Sequence, residues 1–193
     1  TMPDGKVEVS GTFVKKSAQT FVDVPENAYY APAVNWAVEK GVTEGTSATT
    51  FSPDAACTRA QIVTFLYRAA GSPAVKSTVN PFTDVTASDY YYNAVLWAVE
   101  NGITTGTSET TFSPNESCTR AQCVTFLYRA VGSAATAKAS FTDVSADAYY
   151  APAVDWAVEK GVTEGTSATT FSPDAVCTRA QIVTFLYRAA QVK

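Results

Sequence analysis

The sequence predicts a mainly α protein: three helix-loop-helix repeats closed around a pseudo-threefold axis, with a central three-helix bundle. Three observations carry this expectation. The segment Cys57-Thr58-Arg59-Ala60-Gln61-Ile62-Val63-Thr64-Phe65-Leu66-Tyr67-Arg68-Ala69 returns, little changed, from Cys118 to Ala130 and from Cys177 to Ala189. Trp36, Trp97 and Trp156 stand 61 and then 59 residues apart, and Arg59, Arg120 and Arg179 keep the same spacing. Repetition at such a period means one supersecondary unit used three times. Finally, the repeated segment is apolar almost all round, and a helix without a polar face is buried on most sides. A unit of two helices buries too little apolar surface alone. An open stack would need polar end caps, and the first and third copies, identical over 29–70 and 149–190 except at Asn35/Asp155 and Ala56/Val176, show none.

Residues 1–16 stand outside the repeats. Lys6-Val7-Glu8-Val9-Ser10-Gly11-Thr12-Phe13-Val14 alternates polar and apolar residues and reads as a leftover strand of an upstream β-domain. The repeats span 20–71, 81–132 and 140–193. Each opens on an F-x-D-V turn: Phe21 to Val24, Phe82 to Val85, Phe141 to Val144. Asp23, Asp84 and Asp143 fit the cap of that turn better than a ligand contact. A first helix follows, Pro32 to Lys40 in the first copy. Pro32 suits its first turn and Gly41 the position past its end. Next comes a loop of about sixteen residues from Val42, long for a compact unit. Gly45, Gly106 and Gly165 allow positive φ or close backbone approach there. Phe51, Phe112 and Phe171 pin the loop to the core. The second helix has a written start, since Thr58 and Gln61 form a capping box that Thr119/Gln122 and Thr178/Gln181 repeat. Small, polar linkers, Gly71 to Pro81 and Gly132 to Ser140, separate the copies.

Composition narrows the function. A net charge of −4 argues against a broad nucleic-acid surface, and no run approaches a membrane span. No histidine is present, which removes Ser-His-Asp and Cys-His catalysis and the usual zinc sets. Cys57, Cys118 and Cys177 occupy equivalent positions and Cys123 is extra, without C-x-x-C spacing. Free, mostly buried thiols are expected, equivalent positions need not meet in space, and neither cofactor nor metal is implied.

The first-turn arginines resist a purely structural account. Arg59, Arg120 and Arg179 sit where the helix dipole disfavours a cation by roughly 0.3–1 kcal/mol. They ask for an anion, and an Arg fork beside helix N–H groups suits a carboxylate or phosphate. An Asp of the same chain would answer the charge equally well. Arg68, Arg129 and Arg188 lie in the last turn, where a cation is favoured, and need no functional explanation.

The order F-x-D-V, A-V-x-W-A, G-[VI]-T-x-G, F-S-P and T-R-A-Q-x-V-T-F-L-Y-R-A, three times over about 20–190, resembles the surface-layer homology domain of bacterial cell-envelope proteins. The resemblance implies a three-pronged spindle. It also implies secretion and non-covalent anchoring at the bacterial cell surface, through grooves that bind a secondary cell-wall polysaccharide linked to peptidoglycan, often pyruvylated. It carries Arg59, Arg120 and Arg179 over as glycan-binding residues, a pyruvate ketal supplying the anion. The family motif usually reads T-R-A-E. Gln61, Gln122 and Gln181 stand in place of that Glu, keeping the capping box and leaving any ligand role of the Glu in doubt. Trp36, Trp97 and Trp156 either stack on a sugar face or pack in the core. Tyr29, Tyr90 and Tyr149 either line a groove or pack locally. Neither nucleic acid nor membrane insertion is implied as a partner, and surface-lattice contacts are compatible.

Two other functions compete. A protein-interaction scaffold would use the same grooves for a partner's acidic segment. A glycan-cleaving enzyme would need a carboxylate pair. Glu39, Glu44 and Asp54 recur as Glu159, Glu164 and Asp174, but copy two has Glu100, Thr105 and Asn115. Nothing marks an acid/base pair, so no enzymatic activity is expected.

Overall fold

The computed structural model describes residues 21–77 and 79–192; the strand expected within 1–16 lies outside them. The described residues form helices α1 (Ala31–Glu39), α2 (Arg59–Ala69), α3 (Tyr92–Glu100), α4 (Arg120–Val131), α5 (Ala151–Glu159) and α6 (Arg179–Gln191). All three capping boxes form. The Thr58 hydroxyl accepts from the Gln61 N–H, and the Gln61 side chain accepts from the Thr58 N–H, each at 3.3 Å. Such caps contribute about 1 kcal/mol each.

The second helices α2, α4 and α6 pack on one another, as their apolar faces require. Ile62, Val63, Phe65 and Leu66 of α2 are buried, and α4 and α6 repeat this. Each first helix packs on the second helix of the preceding repeat: α3 on α2, α5 on α4, and α1 back on α6. The contacts are therefore cyclic.

The backbone closes the same ring. Cys118 N–H donates to Cys57 O at 2.9 Å, Cys177 N–H to Cys118 O at 2.9 Å, and Cys57 N–H to Cys177 O at 3.0 Å. The equivalent cysteines do meet, because the segments before the three helices converge where the bundle begins. All four thiols are free and fully buried. Cys123 fills the core position held by Ile62 and Ile182 in the other repeats. Burial raises its pKa, and contact with Cys118 and Cys177 adds to the effect.

The long loops are ordered by their own repeats. Both oxygens of Asp84 accept backbone N–H groups, from Phe112 at 2.8 Å and Ser113 at 2.7 Å, and Asp23 and Asp143 do likewise. Those bonds hold Ser113 at φ +57°, a left-handed conformation that costs a non-glycine residue energy. Phe51, Phe112 and Phe171 beside them are fully buried. Gly45 has both properties anticipated for it: φ is +89°, and a Cβ would sit 2.5 Å from the Phe21 ring and the Thr50 carbonyl.

Acidic residues at the ends of α3 and α5 hold the linkers. Glu100 accepts from Lys76 N–H at 3.2 Å, while Glu159 accepts from Ala137 N–H at 3.0 Å and pairs with Lys160 at 3.0 Å. The Ala137 bond, then Lys160 and Thr136, pull the Glu159 pKa down to about 2. A lowered pKa in the folded state means the clamp stabilises fully above the ordinary Glu value and is lost as pH falls toward 2. An NMR titration should place the Glu159 carboxyl midpoint near 2; a midpoint near 4.5 would show that the clamp does not form in solution.

Candidate inter-repeat groove

Arg59, Arg120 and Arg179 begin the second helices, and each reaches into the following repeat. Arg59 Nε donates to Phe112 O at 2.8 Å, Arg120 Nε to Phe171 O at 2.8 Å, and Arg179 Nε to Phe51 O at 2.9 Å. The Arg59 guanidinium lies 4.9 Å from the Phe112 ring centre and 5.4 Å from that of Phe126. Arg120 meets Phe171 and Phe185, and Arg179 meets Phe51 and Phe65, in the same way. Cation–π contact helps offset the cost of burying these charges.

The offset is incomplete. Only 3 % of Arg59 is exposed, and among the described residues its Nη2 has no hydrogen-bond partner, as is also true of Arg179. Among the described residues no carboxylate makes an ion pair with any of the three; the pair within 4.0 Å is Lys160 with Glu159. Burial lowers the pKa of Arg59 and Arg179, against the opposing pull of nearby acidic groups and thiols. Among the described residues, therefore, no Asp pairs directly with the charge.

The neighbouring helix N–H groups are not free, which corrects the expectation that they would share an anion. Arg59 N–H donates to Glu116 O at 2.9 Å and Ala60 N–H to Pro114 O at 3.0 Å, both from the next repeat. Gln61 N–H is taken by Thr58. The same pairing caps α4 and α6. Repeat closure uses the helix starts and leaves the guanidinium as the group still seeking an acceptor.

Arg59 forms part of a groove of about 350 Å³ that draws on all three repeats. Thr104 to Thr107 line one side, Gln122 and Arg129 project from α4, and Tyr149 comes from the third repeat. Tyr149 is 63 % exposed and lines the groove while its ring meets Tyr150 edge-on at 5.1 Å, so both of its readings hold. Burial of its ring raises the hydroxyl pKa, while Arg129 and Arg59 act in the other direction. Arg129 was not singled out by sequence reasoning, because a cation in the last turn raises no question. Its seven-residue offset from Gln122 on one helix face was the available signal.

The tryptophans lie elsewhere. Trp36 packs on Tyr187, Trp97 on Tyr67 and Trp156 on Tyr128, with ring centres 5.7–5.9 Å apart. Trp156 is 1 % exposed and Trp97 9 %, so neither offers a face to a sugar. Both are consumed by packing on the preceding repeat. Trp36 is half-buried, and with Trp97 it borders an apolar hollow where the second helices end, away from Arg59.

Fold and groove together define a class: a closed array of three helical repeats with buried arginines at the seams. The S-layer homology domain matches residues 20–63, 81–122 and 140–183, and the chain belongs to that family. It is 39 % identical over 116 residues to an endoglucanase of Bacillus sp. (strain KSM-635), covering 60 % of this chain and 12 % of that protein. It is 33 % identical to the surface-layer 125 kDa protein of Lysinibacillus sphaericus, over 60 % of this chain and 10 % of the other. An S-layer protein of Bacillus thuringiensis subsp. finitimus matches 90 % of this chain at 27 % identity, over 21 % of its own length. The chain thus spans about a tenth to a fifth of the length of these relatives. It is a cell-wall anchoring module of the kind carried by extracellular surface proteins. No described helix is long and apolar enough to cross a membrane.

Proposed function

We propose that the module holds its parent protein to the cell wall by binding an acidic, pyruvylated secondary cell-wall polysaccharide in the inter-repeat grooves. The observation that carries this reading is the Arg59 guanidinium, buried, without a carboxylate partner, and at the wall of an open groove. A pyruvate ketal would bring a carboxylate to the groove beside the Arg59 guanidinium, and Arg129 would add a second positive charge. Tyr149 would cover a sugar face and donate from its hydroxyl. Arg120 and Arg179 would do the same at the other two seams. No catalytic step is involved. Binding through several grooves, or several chains, would raise retention by avidity.

Sedimentation with protein-free sacculi tests the proposal. The chain is expected to pellet with intact sacculi and to stay in solution once the polysaccharide has been stripped from them. Undiminished pelleting with stripped walls would refute the glycan reading, and failure to pellet unless a surface protein is added would support a protein-binding scaffold.

A further inference from the structure

The loops that meet the three arginines place their acidic residues differently although the arginines repeat. At the Arg59 groove, residue 105 is a threonine in the lining. The equivalent residue is Glu164 in the loop that meets Arg120 and Glu44 in the loop that meets Arg179, and both are exposed. The first groove therefore sets Arg59 and Arg129 against no lining carboxylate. By repeat equivalence, Arg120 with Arg188 and Arg179 with Arg68 would each face one glutamate, Glu164 or Glu44.

The guanidinium groups differ as well. Arg120 Nη2 already donates to Thr163 Oγ1 at 3.4 Å, whereas Arg59 Nη2 and Arg179 Nη2 have no partner among the described residues. Glu116, within electrostatic reach of Arg59, and Glu109 of the same loop lack acidic counterparts, at Ala55 and Ala175 and at Ala48 and Ala168, but both are exposed and outside the groove lining.

We infer that the residue at position 105, 44 or 164 ranks the grooves by charge, so that the Arg59 groove is the tight anionic subsite and the Arg179 and Arg120 grooves are weaker ones, in that order. This rests on the glycan reading above. A glutamate lining a half-exposed groove, within a Debye length of a bound carboxylate, should weaken binding about tenfold. The Arg120 groove carries the added handicap of displacing Thr163.

Titration calorimetry on the whole chain tests this, with a methyl 4,6-O-pyruvyl-N-acetylhexosaminide as probe and its methyl ester as the neutral control. The wild type should show one tight class of site and a weaker class. Thr105→Glu should weaken the tight class about tenfold at low salt, and less in high salt, where charge is screened. Glu44→Thr with Glu164→Thr should tighten the weaker class. The ester should bind poorly and be insensitive to all three substitutions. Three equal sites unmoved by these substitutions would overturn the charge ranking and leave the glycan reading intact. Equal weakening of acid and ester by Thr105→Glu would also overturn it, pointing to bulk. No binding of the probe to wild type would overturn the glycan reading, and this inference with it.

Discussion

Arg59→Met is expected to cost roughly 10- to 150-fold in affinity for a pyruvylated glycan while moving the melting temperature by only a few degrees. The two halves of this prediction have different physical origins. A charge-assisted contact to a carboxylate contributes about 1.5–3 kcal/mol, and methionine supplies none. Removing the side chain also leaves the buried Phe112 carbonyl without this donor, a loss of about 1–3 kcal/mol. Against that loss, the folded protein no longer buries a cation with an unsatisfied nitrogen, and replacing buried charge by apolar volume is often neutral or stabilising. Methionine still fills the slot between Phe112 and Phe126. Calorimetry with the glycan and a thermal melt of the same sample check both halves. A collapse in stability with affinity retained in the surviving fold would show that Arg59 is a structural bolt and not the anion receptor.

Phe112→Ala should be the most damaging single substitution in the second repeat, by about 3–5 kcal/mol. Phe112 is fully buried. Its ring packs on Phe82 at 5.7 Å, its N–H is taken by Asp84, and its carbonyl accepts from Arg59. Truncation leaves a cavity, weakens the anchoring of the left-handed Ser113 backbone, and takes one aromatic face away from Arg59. For a chain of this size the loss corresponds to roughly 6–20 °C in melting temperature. Because the repeats close on each other, the variant should still unfold in one transition, its three units failing together. A melt in which the first and third repeats survive as a separate, later step would contradict that cooperativity.

Much of this architecture is written along the chain. Thr58 and Gln61 fix where α2 begins because a capping box needs only residues three apart. The positive φ at Gly45 and the loop cap at Asp84 are local too, each serving its own repeat. The likeness of the three copies declared one unit used three times. The anomaly at Arg59, a cation at the unfavourable end of a dipole, was equally legible because it depends only on position in the helix.

Which repeat answers which could be decided only by the folded chain. Arg59 turns to Phe112 and the three cysteine backbones bond in a ring, each across more than fifty residues of sequence, while α3 settles on α2 across the boundary between repeats. Trp97 and Trp156 became seam packing, and Arg129, unremarkable as a last-turn cation, became a groove wall. Residues within a helical turn constrain one another through the backbone that joins them. Partners in different repeats meet only when packing chooses between faces that the sequence, nearly the same in each copy, leaves alike.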